Sequence, residues 1–177
     1  MVKNAPGGLY AKLIPVSGSK GLAFARRKTD GGGYVSVLAV RLGQRWLAVP
    51  TRHVSEVMER RPVMAVPHRM GEIVEGMVNL RGELLMVISL ESLMGQEPAT
   101  GRARRMLVIR HPSGRFVFSA DEVYAGVRYA PEAVKSLPAP CAVTGFSCIS
   151  GIFEWNGCTI GILDVEALVQ VVNRRLA

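Results

Sequence analysis

The sequence predicts an all-β protein with few helices, because short apolar segments alternate with tight turns along most of its 177 residues. Seven segments have the length and the β-branched content of strands. Gly, Asn, Pro and Ser are concentrated between them, as in hairpin loops. Many short strands joined by tight turns indicate small barrels or a sandwich. The predicted strands are residues 35–42, 45–49, 73–80, 84–90, 106–110, 115–119 and 159–163.

An internal duplication divides the chain. Residues 74–94 and 149–169 align without a gap, and Gly76 lies opposite Gly151 in this alignment. Each copy has the pattern of a strand, a tight turn, a second strand and a capped helix. A weaker match, which needs a gap, extends the similarity upstream of both copies. The sequence therefore predicts two similar halves, the second from about residue 103, that form two small barrels with a shared interface.

The predicted helices at the ends of the two copies carry matching caps. The C-terminal helix is expected over residues 165–175, with Asp164 as its N-cap and with Arg174 and Arg175 at the negative end of the helix dipole. Ser89 aligns with Asp164 and is expected to cap the short helix of the first copy in the same way.

A further short helix is predicted directly after Thr51. Val54, Val57 and Met58 follow one another at helical spacing and would face the core. Glu56 lies between them and would face solvent.

Most of the formal net charge of +8 lies near the N-terminus. Residues 1–34 contain six Lys or Arg and one Asp, a net charge of +5, so that residues 35–177 carry the remaining +3. The first segment also contains three glycine clusters and no sustained hydrophobic period, which predicts a flexible basic leader. We expect one folded domain, residues 35–177, to follow this leader.

Cysteine content and hydropathy indicate the environment of the protein. Cys141, Cys148 and Cys158 form no CxxC pair, and we expect buried, reduced thiols rather than a metal site or a disulfide framework. The chain has no apolar run of the roughly 18 residues that a membrane helix requires, and its start lacks the pattern of a signal peptide. A cytoplasmic protein is expected.

The chain carries no motif of an enzyme, a metal site or a cofactor site. His53, His68 and His111 are far apart in sequence, and the chain has no phosphate-binding or dinucleotide-binding glycine motif. Asp121 and Glu122 are expected at a solvated strand end rather than as a catalytic pair. We therefore expect a protein that is not an enzyme and uses no cofactor.

Nucleic-acid binding is the alternative function, and only the basic charge favours it. Such a protein usually presents aromatic side chains interleaved with Lys and Arg. Aromatic residues are 6% of this chain, and Trp46, Phe116 and Phe153 lie in apolar strand patterns typical of a core. A nucleic-acid partner is therefore not expected.

Residues 76–90, GMVNLRGELLMVISL, resemble the signature of the CheW-like family, G-x-x-N-x-R-G-x-x-x-P-x-x-D-L. Segments around residues 42–57, 116–123 and 160–169 are similar to other parts of that family, so that the resemblance covers about residues 35–172. It implies two intertwined five-stranded SH3-like barrels with a hydrophobic groove between them. It also implies a non-enzymatic adaptor that couples methyl-accepting chemoreceptors to a CheA-type histidine kinase.

The resemblance places a docking surface for kinase and receptor on the first half of the chain. By the family pattern, the regulatory domain of the kinase docks on one barrel and the receptor tip enters the groove. We hypothesise that Glu56 and Arg81 lie close together on the first barrel. The residues carried over from the family motif are Val54, Glu56, Gly76, Asn79, Arg81 and Gly82.

Each of these residues also has a purely structural interpretation. Arg81 would then be an exposed hairpin tip, Asn79 a side chain bonded to its own turn, and Gly76 and Gly82 backbone positions that need glycine. The second copy has Glu154 and Asn156 where the first has Asn79 and Arg81. We therefore expect the second half mainly to complete the scaffold.

Three departures from the family pattern leave the sensory pathway open. Met86 and Ser89 stand where the family has proline and aspartate, and residues 67–71 lack the usual Asn-x-Pro turn. Residues 121–124 also resemble couplers of pilus-linked and surface-sensing systems. The array could control flagella, pili or a second-messenger enzyme.

Overall fold

The computed structural model describes residues 14–15, 22–23, 33–66, 73–96, 104–137 and 147–176. Within these ranges the chain forms strands, two helices and two single 3-10 turns, at Thr51–His53 and Pro131–Ala133. The helices are α1 (Leu90–Leu93) and α2 (Val165–Leu176). The strands are β1 (Ile14–Pro15), β2 (Leu22–Ala23), β3 (Val35–Leu42), β4 (Arg45–Pro50), β5 (Val54–Glu59), β6 (Val74–Leu80), β7 (Glu83–Ile88), β8 (Arg105–His111), β9 (Gly114–Ala120), β10 (Glu122–Tyr129), β11 (Ile149–Trp155) and β12 (Cys158–Leu163).

The strands form two sheets, and each sheet combines both halves of the chain. One has the order β1-β10-β3-β4-β12-β11 and the other the order β2-β5-β8-β9-β7-β6. The hairpin β3–β4 therefore joins strands of the second half, and the hairpin β8–β9 joins strands of the first. We call β5–β9 the Arg81 barrel, and β3, β4 and β10–β12 the Asn156 barrel. The predicted intertwining of two five-stranded units is confirmed.

Each barrel is closed by a short segment outside the named strands, which we call the crossing segment. It pairs with the first strand of the duplicated unit, β6 in one barrel and β11 in the other. Met64 and Met77 exchange backbone hydrogen bonds of 2.8 and 2.9 Å in the Arg81 barrel. Lys135 and Ile152 exchange bonds of the same lengths in the Asn156 barrel. The crossing segments approach so closely that a Cβ at Gly76 would overlap the Met64 carbonyl oxygen.

The described residues form three hydrophobic clusters. One lies inside the Arg81 barrel around Val87, and one inside the Asn156 barrel around Phe153. The largest lies between the barrels and combines residues of both sheets with both helices, including Phe118 and Leu168. The shared core therefore fixes one barrel against the other.

The two helices begin with the caps that the duplication predicts. The Ser89 hydroxyl accepts a hydrogen bond of 3.1 Å from the Ser92 amide, and the Asp164 carboxylate accepts one of 3.0 Å from the Ala167 amide. The predicted C-terminal helix agrees with α2 to within one residue.

The helix predicted after Thr51 is wrong, because this segment is a 3-10 turn followed by the strand β5. A bulge between Val54 and Glu56 interrupts the alternation of the strand. Three consecutive residues then become buried, which produces a spacing similar to that of a helix. Glu56 points inward and is 5% exposed, rather than facing solvent as predicted.

Asp121 is also buried, and the prediction of a solvated strand end is wrong for it. Its carboxylate accepts a hydrogen bond of 2.8 Å from the Gly43 amide and lies 3.3 Å from an Arg41 guanidinium nitrogen. Arg41 also lies 2.6 Å from Glu122. These contacts connect β3 to the start of β10.

The leader and the cysteines were predicted only in part. Four leader residues, in β1 and β2, pair with the sheets, and the flexibility of the rest stays a prediction. Cys148 is buried as expected, whereas Cys158 is exposed. Cys141 and residues 67–71 lie outside the described residues. No helix within the described ranges is long and apolar enough to cross a membrane.

Candidate docking site

The turn between β6 and β7 holds the candidate arginine in an unusual backbone conformation. Arg81 has φ 55° and Gly82 has φ 89°, as the centre of a tight two-residue hairpin requires. The Asn79 side-chain oxygen accepts a hydrogen bond of 2.9 Å from the Gly82 amide. This bond and the glycine confirm the turn-stabilising roles predicted for both residues, and they fix where the arginine projects.

Arg81 extends from this turn to β5. Its Nη2 lies 2.9 Å from Glu56 Oε2, so the hypothesis that these two residues lie close together is confirmed. The barrel that carries them is built from both halves of the chain, which differs from the prediction of a first-half barrel. The Glu56 carboxylate is buried, whereas the Arg81 side chain is 76% exposed. The buried Glu56 carboxylate therefore fixes the position of the exposed Arg81 guanidinium at the protein surface.

The carboxylate of Glu56 is only half satisfied. Its Oε1 is buried and has no hydrogen-bond partner among the residues that the structure describes, although a buried polar atom normally has one. A cavity of about 200 Å³ lies beside it. The cavity is lined by Glu56, Met58, Glu59, Arg60, Arg61, Leu80 and Arg81.

We call the surface region around Glu56 and Arg81 the corner of the Arg81 barrel, and further ion pairs surround it. Arg105 lies 3.4 Å from Glu59, and Arg60 lies 3.8 Å from Glu75. Burial raises the pKa of Glu75, against the opposing effect of the Arg60 charge. The surface is therefore patterned with both signs of charge rather than uniformly basic.

Two of the six residues carried over from the motif lie in the interior and away from the surface. Val54 is fully buried in the core between the barrels. Gly76 is buried with φ 145° against the Met64 carbonyl, a position that leaves no room for a side chain. Asn79, Gly82, Arg81 and Glu56 alone come together at the corner. The motif therefore combines framework positions with surface positions.

The Asn156 barrel has an equivalent corner, which its strand register identifies. Glu56 pairs with Val108, and Tyr124 pairs with Ala39. Val108 and Ala39 each lie three residues before the end of the first strand of their hairpin. Tyr124 is therefore the counterpart of Glu56, just as Asn156 is the counterpart of Arg81.

Aromatic side chains occupy that second corner. The ring of Trp46 lies 5.7 Å from Tyr124 and 5.5 Å from Trp155, and Tyr124 lies 6.2 Å from Trp155. All three are half-buried, so Trp46 is less enclosed than predicted, whereas Phe116 and Phe153 are buried as expected. Sequence reasoning missed the cluster, because Tyr124 and Trp155 lie 31 positions apart and meet only through strand pairing.

In the described ranges there is no group of three or more His, Cys, Asp or Glu side chains that could hold a metal ion. His111 accepts or donates hydrogen bonds to Ser113 at 2.6 Å and to Glu166 at 2.7 Å. Ser113 lies in the turn between β8 and β9, and Glu166 lies in α2. These hydrogen bonds of His111 therefore connect the β8–β9 turn to α2.

Comparisons with known proteins agree on one family. The family model described as "CheW-like domain" matches residues 36–173. A probable chemotaxis protein CheW of Rhizobium etli is 26% identical over 142 residues, which are 80% of this chain and 91% of that protein. The chemotaxis protein CheW of Thermotoga maritima is 23% identical over 137 residues, which are 77% of this chain and 88% of that protein.

A solved structure shows the same fold. The scaffolding protein TtCheW of Thermoanaerobacter tengcongensis has a TM-score of 0.63 at 19% identity, over 73% of this chain and 88% of that one. This likeness confirms the predicted pair of five-stranded SH3-like barrels.

Proposed function

The chain belongs to the CheW-like family, and from that premise we propose that it is a non-enzymatic scaffold that couples chemoreceptors to a CheA-type histidine kinase. The observation that carries this proposal is the Glu56–Arg81 corner. A buried carboxylate holds an exposed guanidinium, and one carboxylate oxygen has no donor among the described parts of the chain. This arrangement is suited to binding a partner.

The Arg81 guanidinium supplies directional donors to a docking partner. It has five N–H groups in a planar fork, and Glu56 occupies part of that fork and restricts its orientation. The remaining donors face solvent and suit carboxylates or backbone carbonyls of another protein. Arginine held in this way loses little further conformational freedom on binding, which favours affinity.

The paired charges of the body favour a protein partner over nucleic acid. Besides Arg81, Arg115 lies 2.6 Å from Glu83, and Arg41 lies 2.6 Å from Glu122. Arginines that already pair with carboxylates have less charge to offer to phosphates. The three aromatic rings of the second corner pack on one another at tilted or edge-to-face angles, unlike a row of open stacking platforms.

The same proposal assigns the location and the second partner. The receptor tip would enter a groove between the barrels, and the regulatory domain of the kinase would dock on one barrel. The protein would then be cytoplasmic and associated with membrane-bound receptor arrays through those receptors. Whether the array serves flagella, pili or a second-messenger enzyme depends on the cognate receptor and kinase.

A pair of exchanged turn residues tests the proposal. Arg81→Asn gives the first turn the Asn-Gly sequence of the second, so the backbone conformation is retained while the guanidinium is removed. We expect this variant to bind the regulatory domain of the cognate kinase at least about tenfold more weakly, equivalent to roughly 1.4 kcal/mol. Isothermal titration calorimetry measures the affinity, and Asn156→Arg is the matched control with unchanged binding.

Two outcomes would contradict the proposal. One is that the unmodified protein binds neither the regulatory domain nor the receptor tip of its own array. The other is that Arg81→Asn and Asn156→Arg both bind as tightly as the unmodified protein while remaining folded.

A further inference from the structure

The leader contributes one short strand to each sheet. In β1, Ile14 pairs with Ala125 and Pro15 with Tyr124, on the outer edge of β10. In β2, Leu22 pairs with Val57 and Ala23 with Glu56, on the outer edge of β5. Both pairings are antiparallel.

The two pairings occur at equivalent places in the two barrels. Tyr124 is the counterpart of Glu56 by strand register, and the residue that follows each of them is also paired with the leader. Only the six residues 16–21 separate β1 from β2. One short segment therefore meets the same structural position twice, which a chance contact of a tail would not produce.

Without β1 and β2, the outer sides of β10 and β5 would be open edges of the two sheets. Among the described strands, β5 is followed outward only by β2, and β10 only by β1. An open edge presents unpaired N–H and C=O groups that can recruit a strand from another molecule. Both edges lie at the corners described above, beside Glu56 and beside Tyr124.

The composition of the leader suits a strand that ends a sheet. Pro15 has no N–H to donate, and an edge strand is one of the few positions in a sheet where proline is tolerated. Lys20, Arg26, Arg27 and Lys28 flank β2 in sequence, and charge around an edge strand opposes pairing with a second copy. The net charge of +5 over residues 1–34 makes two leaders repel each other.

We propose that β1 and β2 act as intramolecular edge strands that close β10 and β5, respectively, against strand addition by a second copy of this chain. The leader is then a built-in protection against edge-to-edge association and is more than a spacer. This function does not depend on which receptor or kinase the protein serves.

Hydrogen exchange on the full-length chain tests the pairing. The double variant Leu22→Pro with Ala23→Pro removes both backbone N–H groups of β2, so whichever of them bonds to β5 is lost. We expect the β5 amides that point away from β8 to exchange at least about tenfold faster, with the amides of β8 and β9 unchanged. Leu22→Ala changes a side chain, keeps both N–H groups and should exchange like the unmodified protein.

Sedimentation velocity over a range of concentrations tests the consequence. The double proline variant should self-associate at concentrations where the unmodified protein and Leu22→Ala stay monomeric. Equal exchange of the β5 amides in all three proteins would overturn the pairing. Faster exchange without any added self-association would overturn the protective role.

Discussion

The two corners of the molecule share one backbone and differ in chemistry. Arg81 and Asn156 both have positive φ, at 55° and 50°, and each precedes a glycine of positive φ. In the Arg81 barrel the turn residue reaches a buried glutamate. In the Asn156 barrel the counterpart of that glutamate is Tyr124, which packs against Trp46. One corner is ionic and the other is aromatic.

This difference separates what the fold requires from what the surface does. The fold requires a residue that tolerates positive φ followed by glycine, and both copies supply them. An asparagine meets that requirement better than an arginine, because its short polar side chain tolerates the left-handed conformation. Arginine at position 81 therefore costs some backbone stability, and its contact with Glu56 offsets that cost.

The largest expected effect is on unfolding free energy, and it comes from substitutions of the glycines at which the two barrels close, Gly76 and Gly151. Gly76→Ala places a Cβ on the Met64 backbone carbonyl and forces alanine into φ 145°, so we expect a loss of about 3 kcal/mol of unfolding free energy. Gly151→Ala places a Cβ 2.5 Å from Val134 Cγ1 and 3.2 Å from the Lys135 carbonyl oxygen, but Gly151 does not have a positive φ, so the cost should be smaller, about 2 kcal/mol. Urea unfolding measures both. Equal losses would show that the two closures are equally tight.

A double-mutant cycle gives the next largest effect and isolates the ionic corner. We expect Glu56→Gln and Arg81→Asn to show a coupling of about 1 kcal/mol in unfolding free energy, because a buried carboxylate loses its partner while the exposed guanidinium is screened by water. The equivalent cycle, Tyr124→Phe with Asn156→Ala, should show a coupling below about 0.5 kcal/mol, because the Tyr124 hydroxyl donates to Glu122. The prediction fails if the aromatic corner couples as strongly as the ionic one.

The smallest expected effect is a pair of opposite pH dependences. Burial alone would raise the pKa of Glu122 in the Asn156 barrel, but hydrogen bonds from Arg41 and Tyr124 outweigh it and lower the pKa. Its ionised form therefore stabilises the fold above the ordinary value of 4.5, and this contribution is lost as pH falls through the folded pKa. For Glu75 in the Arg81 barrel, burial raises the pKa, so its ionisation destabilises the fold as pH rises above 4.5.

Glutamine variants reveal these signs by urea unfolding between pH 3 and pH 7. Glu122→Gln should be less stable than the unmodified protein at pH 7, and Glu75→Gln more stable, each by less than about 1 kcal/mol. Both differences should shrink toward pH 3. A Glu75→Gln variant that is destabilised at pH 7 would show that its contacts with Arg60 outweigh its burial.

The sequence predicted local structure well, because local rules determine it. The β6–β7 and β11–β12 turns, the caps at Ser89 and Asp164 and most strand bounds follow from turn chemistry and side-chain period. The proximity of Glu56 and Arg81 was also expected, although the expectation came from a family resemblance. Spacing alone would not have placed those residues together.

Two features were not predictable from local rules. The bulge in β5 broke the alternation of the strand, so its buried residues took on helical spacing and Glu56 was assigned to the outside. The assignment of each hairpin to the barrel of the other half depends on the pairing of β5 with β8 and of β10 with β3. Such pairings join residues far apart in sequence, and a one-dimensional pattern carries no signal for them.

The exchange of hairpins between the halves has a consequence for the history and the assembly of the chain. Two copies of a single half that traded hairpins would form the same pair of barrels as a symmetric, domain-swapped dimer, and tandem fusion of the two genes would yield this connectivity. A chain that is still being synthesised cannot complete the Arg81 barrel before the hairpin β8–β9 has left the ribosome. It cannot complete the Asn156 barrel before β10–β12 have left it. If the two halves are produced as separate chains, neither should reach the native fold alone, and the native fold should form only when they are mixed.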